Sequence, residues 1–154
     1  MDVKHYDKLI FVSESDTITS PMAEAILSRH FLLEDILILS KGLVVLFPEP
    51  INPKAEAVLV AQGLTMKDHM SDPLDEADFD DRTLILTITG AEKERLLRDF
   101  ANPINVFSLS EYIRAEGEVH DPYGGTLGDY GQCFRELNAQ IERLAGILQR
   151  EELN

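Results

Sequence analysis

Short apolar runs alternate along this chain with longer amphipathic stretches. Leu9 to Ser13, Ile36 to Leu39, Leu84 to Ile88 and Ile104 to Leu109 are rich in aliphatic and β-branched residues, so each reads as a buried strand. Helical periodicity fills the gaps. Ala23, Ile26, Leu27, His30 and Phe31 share one face, with Ser20 as the expected N-cap and Pro21 at the first helical position. Asn52 and Pro53 repeat that start signal for a second helix, and Gly63 suits its end. A third helix is expected to follow Thr89 and to stop near Asn102-Pro103. The last helix has the clearest stripe, in which Leu127, Tyr130, Phe134, Leu137, Ile141, Leu144 and Leu148 recur at steps of three and four.

This alternation predicts an α/β fold, a four-stranded parallel sheet with helices on both faces. No repeat or long linker interrupts the chain, so one domain over residues 1–154 is expected. Ligands of such sheets bind beyond the carboxyl ends of the strands, which directs attention to the turn from Ser13 to Ser20. The apolar run Leu43-Val44-Val45-Leu46-Phe47 reads first as core, extending the second strand, with a pocket rim or partner surface as its alternative.

Charge narrows the partners. Fourteen Lys and Arg stand against 28 Asp and Glu, a formal net charge of −14, and no basic cluster offsets it. Nucleic acid is therefore not an expected partner. No apolar run approaches the roughly 20 residues that span a bilayer, and the segment MDVKHYDK lacks a signal peptide's apolar centre. With a single cysteine, Cys133, nothing suggests disulfides, and a soluble cytoplasmic protein is expected. Cys133 itself reads as a semi-buried, inert thiol of the last helix. His5, His30 and His120 show no metal-ligand spacing. The run Asp72, Asp75, Glu76, Asp78, Asp80 and Asp81 lacks the glycine and terminal glutamate of a calcium loop and reads as a solvated connector.

The turn itself reads Ser13-Glu14-Ser15-Asp16-Thr17-Ile18-Thr19-Ser20-Pro21. A buried strand entering a helix N-terminus presents free amides and a helix dipole to an anion. The stretch FVSESDTITSPMAEAIL resembles the active-site segment of the low-molecular-weight protein tyrosine phosphatases, where Cys, five residues and Arg precede Ser-Pro-Met-Ala-Glu-Ala. Asp121-Pro122-Tyr123-Gly124-Gly125 resembles that family's general-acid loop, and His69 matches a position where packing or hydrogen bonding is usual. The resemblance covers nearly the whole chain and implies the family's fold. Thr17 and the Asp-Pro-Tyr-Gly-Gly run look more like the bacterial protein-arginine phosphatase branch.

On this alignment Ser13 stands at the nucleophile's position, Thr19 at the arginine's and Asp121 at the acid's. The family's cysteine reacts because an electropositive loop lowers its pKa from about 8.5. A serine hydroxyl stays protonated and needs a base. Thr19 also lacks the bidentate guanidinium that grips phosphoryl oxygens, and losing such an arginine costs roughly 10³ to 10⁵ in rate. The resemblance therefore implies a catalytically impaired relative, a pseudophosphatase binding an unknown protein or small ligand through Glu14, Ser15, Asp16, Thr17, Ile18, Ser20 and Tyr123. No cofactor is implied. Two alternatives stay open: residual phosphatase activity, or a metal-assisted hydrolase in which Glu14, Asp16 and Asp121 converge on a divalent cation. Asp121 is either an acid or the cap of a turn before Pro122.

Overall fold

The computed structural model describes residues 6–30 and 36–153, with backbone alone for the last three. Phe31 and His5 lie outside the described residues. Strands β1 (Lys8–Ser13), β2 (Leu37–Gly42), β3 (Thr83–Thr87) and β4 (Val106–Ser108) pair in parallel in the order β2-β1-β3-β4. The helices are α1 (Thr19–Ser28), α2 (Pro53–Ala61), α3 (Gly90–Asp99), α4 (Leu109–Ile113) and α5 (Leu127–Leu153).

Side chains of β1 alternate between two apolar layers, as a strand buried on both faces must. Leu9 and Phe11 join Met22, Ile26, Leu59, Leu137 and Leu144 on the face covered by α1, α2 and α5. Ile10 and Val12 join Leu74, Ile85 and Leu96 on the face covered by α3. Because β1 pairs with both β2 and β3, the chain reverses its direction of travel across the sheet at the end of β1. That reversal opens a crevice where a ligand can sit, and the turn after Ser13 occupies it.

Several boundaries differ from the sequence reading. β2 runs on to Gly42, because Ser13 pairs with Gly42 and holds the strand past Ser40. β4 is shorter than expected: Asn105 has φ 56°, which interrupts extended backbone. Leu109 then opens α4, which was not anticipated, capped by Ser108 accepting the Glu111 N–H at 3.2 Å. The start of α2 is as read, with Asn52 accepting from Lys54 and Ala55, and Gly63 follows the helix at φ 77°. α3 opens with a capping box between Thr89 and Glu92 and ends at Asp99, just short of Asn102-Pro103.

Three expectations are corrected outright. Ser20 does not cap α1: Ile18 precedes the first helical residue, Thr19, and the Ser20 hydroxyl is engaged inside the loop. The stripe of α5 is buried from Tyr130 onward, whereas Leu127 is exposed beyond the core's edge. The acidic connector is only partly solvated, since Asp78 is buried and holds Lys41 at 3.0 Å, with Asp72 on the same ammonium at 3.2 Å. Among the described residues no helix is long and apolar enough to cross a membrane.

Candidate active-site loop

β1 delivers Ser13 to the base of the loop, and the chain turns through Asp16 at φ 58° before entering α1. A left-handed aspartate is tolerated where its short side chain finds local partners. Asp16 finds several. The Ser20 hydroxyl donates to its Oδ1 at 2.7 Å, and the Asp72 N–H donates to Oδ2 at 3.1 Å. His69 Nε2 lies 2.8 Å from the Asp16 carbonyl and 3.6 Å from Oδ2, a hydrogen-bonding role of the kind expected for that histidine. The carboxyl is fully buried, and burial pushes its pKa up against the Ser20 bond and the nearby His69. Glu24 is pushed up in the same way, by burial first.

Ser13 is buried at the loop's floor. Its Oγ lies 2.6 Å from Ser20 Oγ and accepts the Asp16 N–H at 3.2 Å. The loop is pinned from outside by Leu43 N–H to the Ser13 carbonyl, Val44 N–H to Glu14 and Asn52 N–H to Thr17. Glu92 accepts the Glu14 N–H at 3.1 Å, and burial raises its carboxyl to about 7. The start of α1 leaves first-turn amides without intrahelical acceptors, as any helix N-terminus does.

A pocket of about 330 Å³ opens over this floor. Residues 13–15 and 17–19 line it, Asp121 and Tyr123 face it from the Asp-Pro turn, and Glu49 stands at its rim. Eight of the ten expected site residues therefore meet there: Ser13, Glu14, Ser15, Thr17, Ile18, Thr19, Asp121 and Tyr123. Asp16 and Ser20 do not line it. They lie buried behind the loop, apart from the other expected ligand contacts. Glu49 was not read from sequence, because nothing in Pro48-Glu49-Pro50 links it to a loop 30 residues earlier except the chain reversal itself.

The proposed carboxylate triad for a metal does not assemble. Glu14 pairs with Arg95 at 3.0 Å, Asp16 faces Ser20 and Asp72, and Asp121 accepts the Tyr123 N–H at 2.9 Å. Among the described residues no group of three potential ligands comes together. The Asp121 contact is that of a turn cap, and its position on the pocket wall still suits an acid. Cys133 is buried and its thiol is pushed up to about 12 by burial, so it is inert.

Residues 43–47 leave the sheet, and only Leu43 still packs against the core, on the Ile10, Val12 and Leu74 side. Leu46 is 88% and Phe47 62% exposed, and with Val44 and Val45 they form a shallow hollow shared with Ser15 and Glu49. An aperiodic apolar run does not reveal which way it turns. Here the N–H groups of Leu43 and Val44 bind the active-site loop, which turns the following side chains outward.

Chemically, the site offers hydroxyls from Ser13, Ser15, Thr17 and Thr19, and a facing aspartate, Asp121. It lacks a thiolate, and no Lys, Arg or His lines it. The family model described as "Low molecular weight phosphotyrosine protein phosphatase" matches residues 8–154. The chain is 30% identical to the low molecular weight protein-tyrosine-phosphatase PtpB of Staphylococcus haemolyticus over 137 residues, 89% of this chain and 96% of that one. Among solved structures it resembles the YwlE arginine phosphatase of Geobacillus stearothermophilus, with a TM-score of 0.87, 29% identity and 95% of each chain covered. It also resembles a cysteine-to-serine mutant of YwlE whose active-site serine is phosphorylated, with a TM-score of 0.83 and 31% identity, covering 93% of this chain and 96% of that one. The chain belongs to the low molecular weight phosphotyrosine protein phosphatase family, as a member that has lost the catalytic cysteine.

Proposed function

We propose that this protein is a pseudophosphatase that serves as a binding module, its loop pocket receiving a small ligand or a protein segment without turning it over. One observation carries the reading: a formed pocket lies over the loop while Ser13 and Thr19 stand where the family's catalytic groups would. Glu14, Glu49 and Asp121 at that pocket, with exposed Leu46, Phe47 and Tyr123 beside it, favour a neutral or cationic polypeptide over a free phosphate dianion. The absence of nucleic-acid partners belongs to the same reading, supported by the charge of −14, as does a cytoplasmic address, supported by the single cysteine. Ancestry in the arginine-phosphatase branch is supported by Thr17 and by the likeness to YwlE.

The test pairs turnover with binding. Aryl phosphate, phosphotyrosine and phosphoarginine are expected to stay at background, and a thermal-shift screen is expected to show stabilisation by basic peptides above that by phosphate. Turnover that scales with protein and disappears in Ser13→Ala would overturn the impairment.

A second reading is residual phosphoryl chemistry. The relative whose active-site serine is phosphorylated supports it, since a serine in such a loop can carry the group.

A further inference from the structure

Resting on that second reading, we propose that Ser13 is a phosphoryl acceptor whose hydroxyl proton passes through Ser20 to the carboxylate of Asp16, so that the loop captures one phosphoryl group as a phosphoserine ester.

Proton direction follows from the hydrogen bonds. The Asp16 N–H already donates to Ser13 Oγ, so the hydrogen of that hydroxyl must point elsewhere. Ser20 spends its own hydrogen on Asp16 Oδ1, at 2.7 Å, and is left with lone pairs facing Ser13 at 2.6 Å. The chain therefore runs Ser13 O–H to Ser20 O–H to carboxylate, without a gap. Its terminal acceptor has no exposure to water, and the loop's own fold holds it behind the reacting oxygen.

Burial raises the proton affinity of Asp16, which suits a base. Ser20 and the Asp72 amide donate to the carboxylate, His69 opposes the rise, Glu24 of α1 adds a second, half-buried carboxyl, and Ser40 of β2 stands alongside.

The donor is a phosphate monoester with a good leaving group, such as nitrophenyl phosphate. The Ser13 Oγ–P bond forms as the P–O bond to the aryl group breaks, and the phenolate departs with the electron pair. Ser13's proton moves to Ser20 as Ser20's moves to Asp16. Amides of the loop and the first turn of α1 receive the phosphoryl oxygens. The reaction stops there. A serine alkoxide leaves far less readily than a thiolate, and no guanidinium assists a second displacement. One equivalent reacts, and turnover stays at background.

The experiment incubates the full chain with millimolar nitrophenyl phosphate and follows intact mass, with peptide mapping to place the adduct. One HPO3 per chain on Ser13 is expected, absent from Ser13→Ala. Asp16→Asn keeps the shape, and is expected to slow labelling by at least about 10²-fold and to flatten its rise with pH. Ser20→Ala should do the same, and Ser20→Thr, which keeps the hydroxyl, should retain the wild-type rate. Melting curves verify folding, and Ser20→Ala decides the matter if Asp16→Asn does not fold. No label on the wild-type chain overturns both the second reading and the relay. Label on Ser13 that neither variant slows overturns the relay alone and leaves that reading intact.

Discussion

Glu92 accepts the N–H groups of Thr89 and Glu14, at 3.0 and 3.1 Å, and so ties the first loop residue to the start of α3. Burial raises its carboxyl from an ordinary 4.5 to about 7, with nearby Asp121 acting in the same direction. A carboxyl held above its unfolded value binds protons more tightly in the native state. Its contribution to stability is therefore greatest below about 4.5 and declines as pH climbs to about 7. The difference amounts to something on the order of 3 kcal/mol. Glu92→Gln, which resembles the protonated form, is expected to be the more stable protein at pH 8 and to lose that advantage below pH 4.5. Denaturant titrations of both proteins across this range measure it, and a gap independent of pH would show that the burial of Glu92 carries no such cost.

Between elements, the loop depends on its neighbours in ways the sequence shows unevenly. The helix starts at Asn52 and Thr89 were legible because a cap is a local arrangement of side chain and amide. Ser20 was misread for a related reason: it has the chemistry of a cap, but its hydroxyl is claimed by Asp16, four residues earlier. Residues 43–47 were illegible because hydrophobicity alone does not distinguish a strand's extension from a strap whose amides grip the loop. The nine-residue pocket lining was largely legible, since eight of those positions fall in the two family motifs, and only Glu49 depends on tertiary placement. If the strap serves ligand contact rather than packing, replacing Leu46 and Phe47 by serine should change stability by no more than about 0.5 kcal/mol per site. The same variant should bind basic peptides more weakly in calorimetric titrations. A large fall in melting temperature would instead assign these side chains to the fold.

At the scale of the molecule, the sheet order β2-β1-β3-β4 sets the position of the loop independently of what the loop can catalyse. The crevice comes from the reversal at β1, the amides from the start of α1, and the facing aspartate from the segment before α5. None of these requires a cysteine or an arginine. Thr19 lines the pocket, so an arginine placed there can extend into a space of about 330 Å³ rather than into the core. Asp16 lies behind the loop, and the charge of Glu14, which lines the pocket, is partly offset by Arg95, so the repulsion of a phosphate is reduced though not removed. The double change Ser13→Cys with Thr19→Arg is therefore expected to hydrolyse aryl phosphates at least about 10³-fold faster than the unmodified chain. Ser13→Cys alone should remain near background, because a thiolate without its guanidinium lacks the charge that stabilises the transferring group. Steady-state assays on the three proteins, with circular dichroism to verify folding, measure the difference. A folded double variant that stays inert would mean that the loop backbone does not follow a catalytic path, and that the pocket serves binding alone.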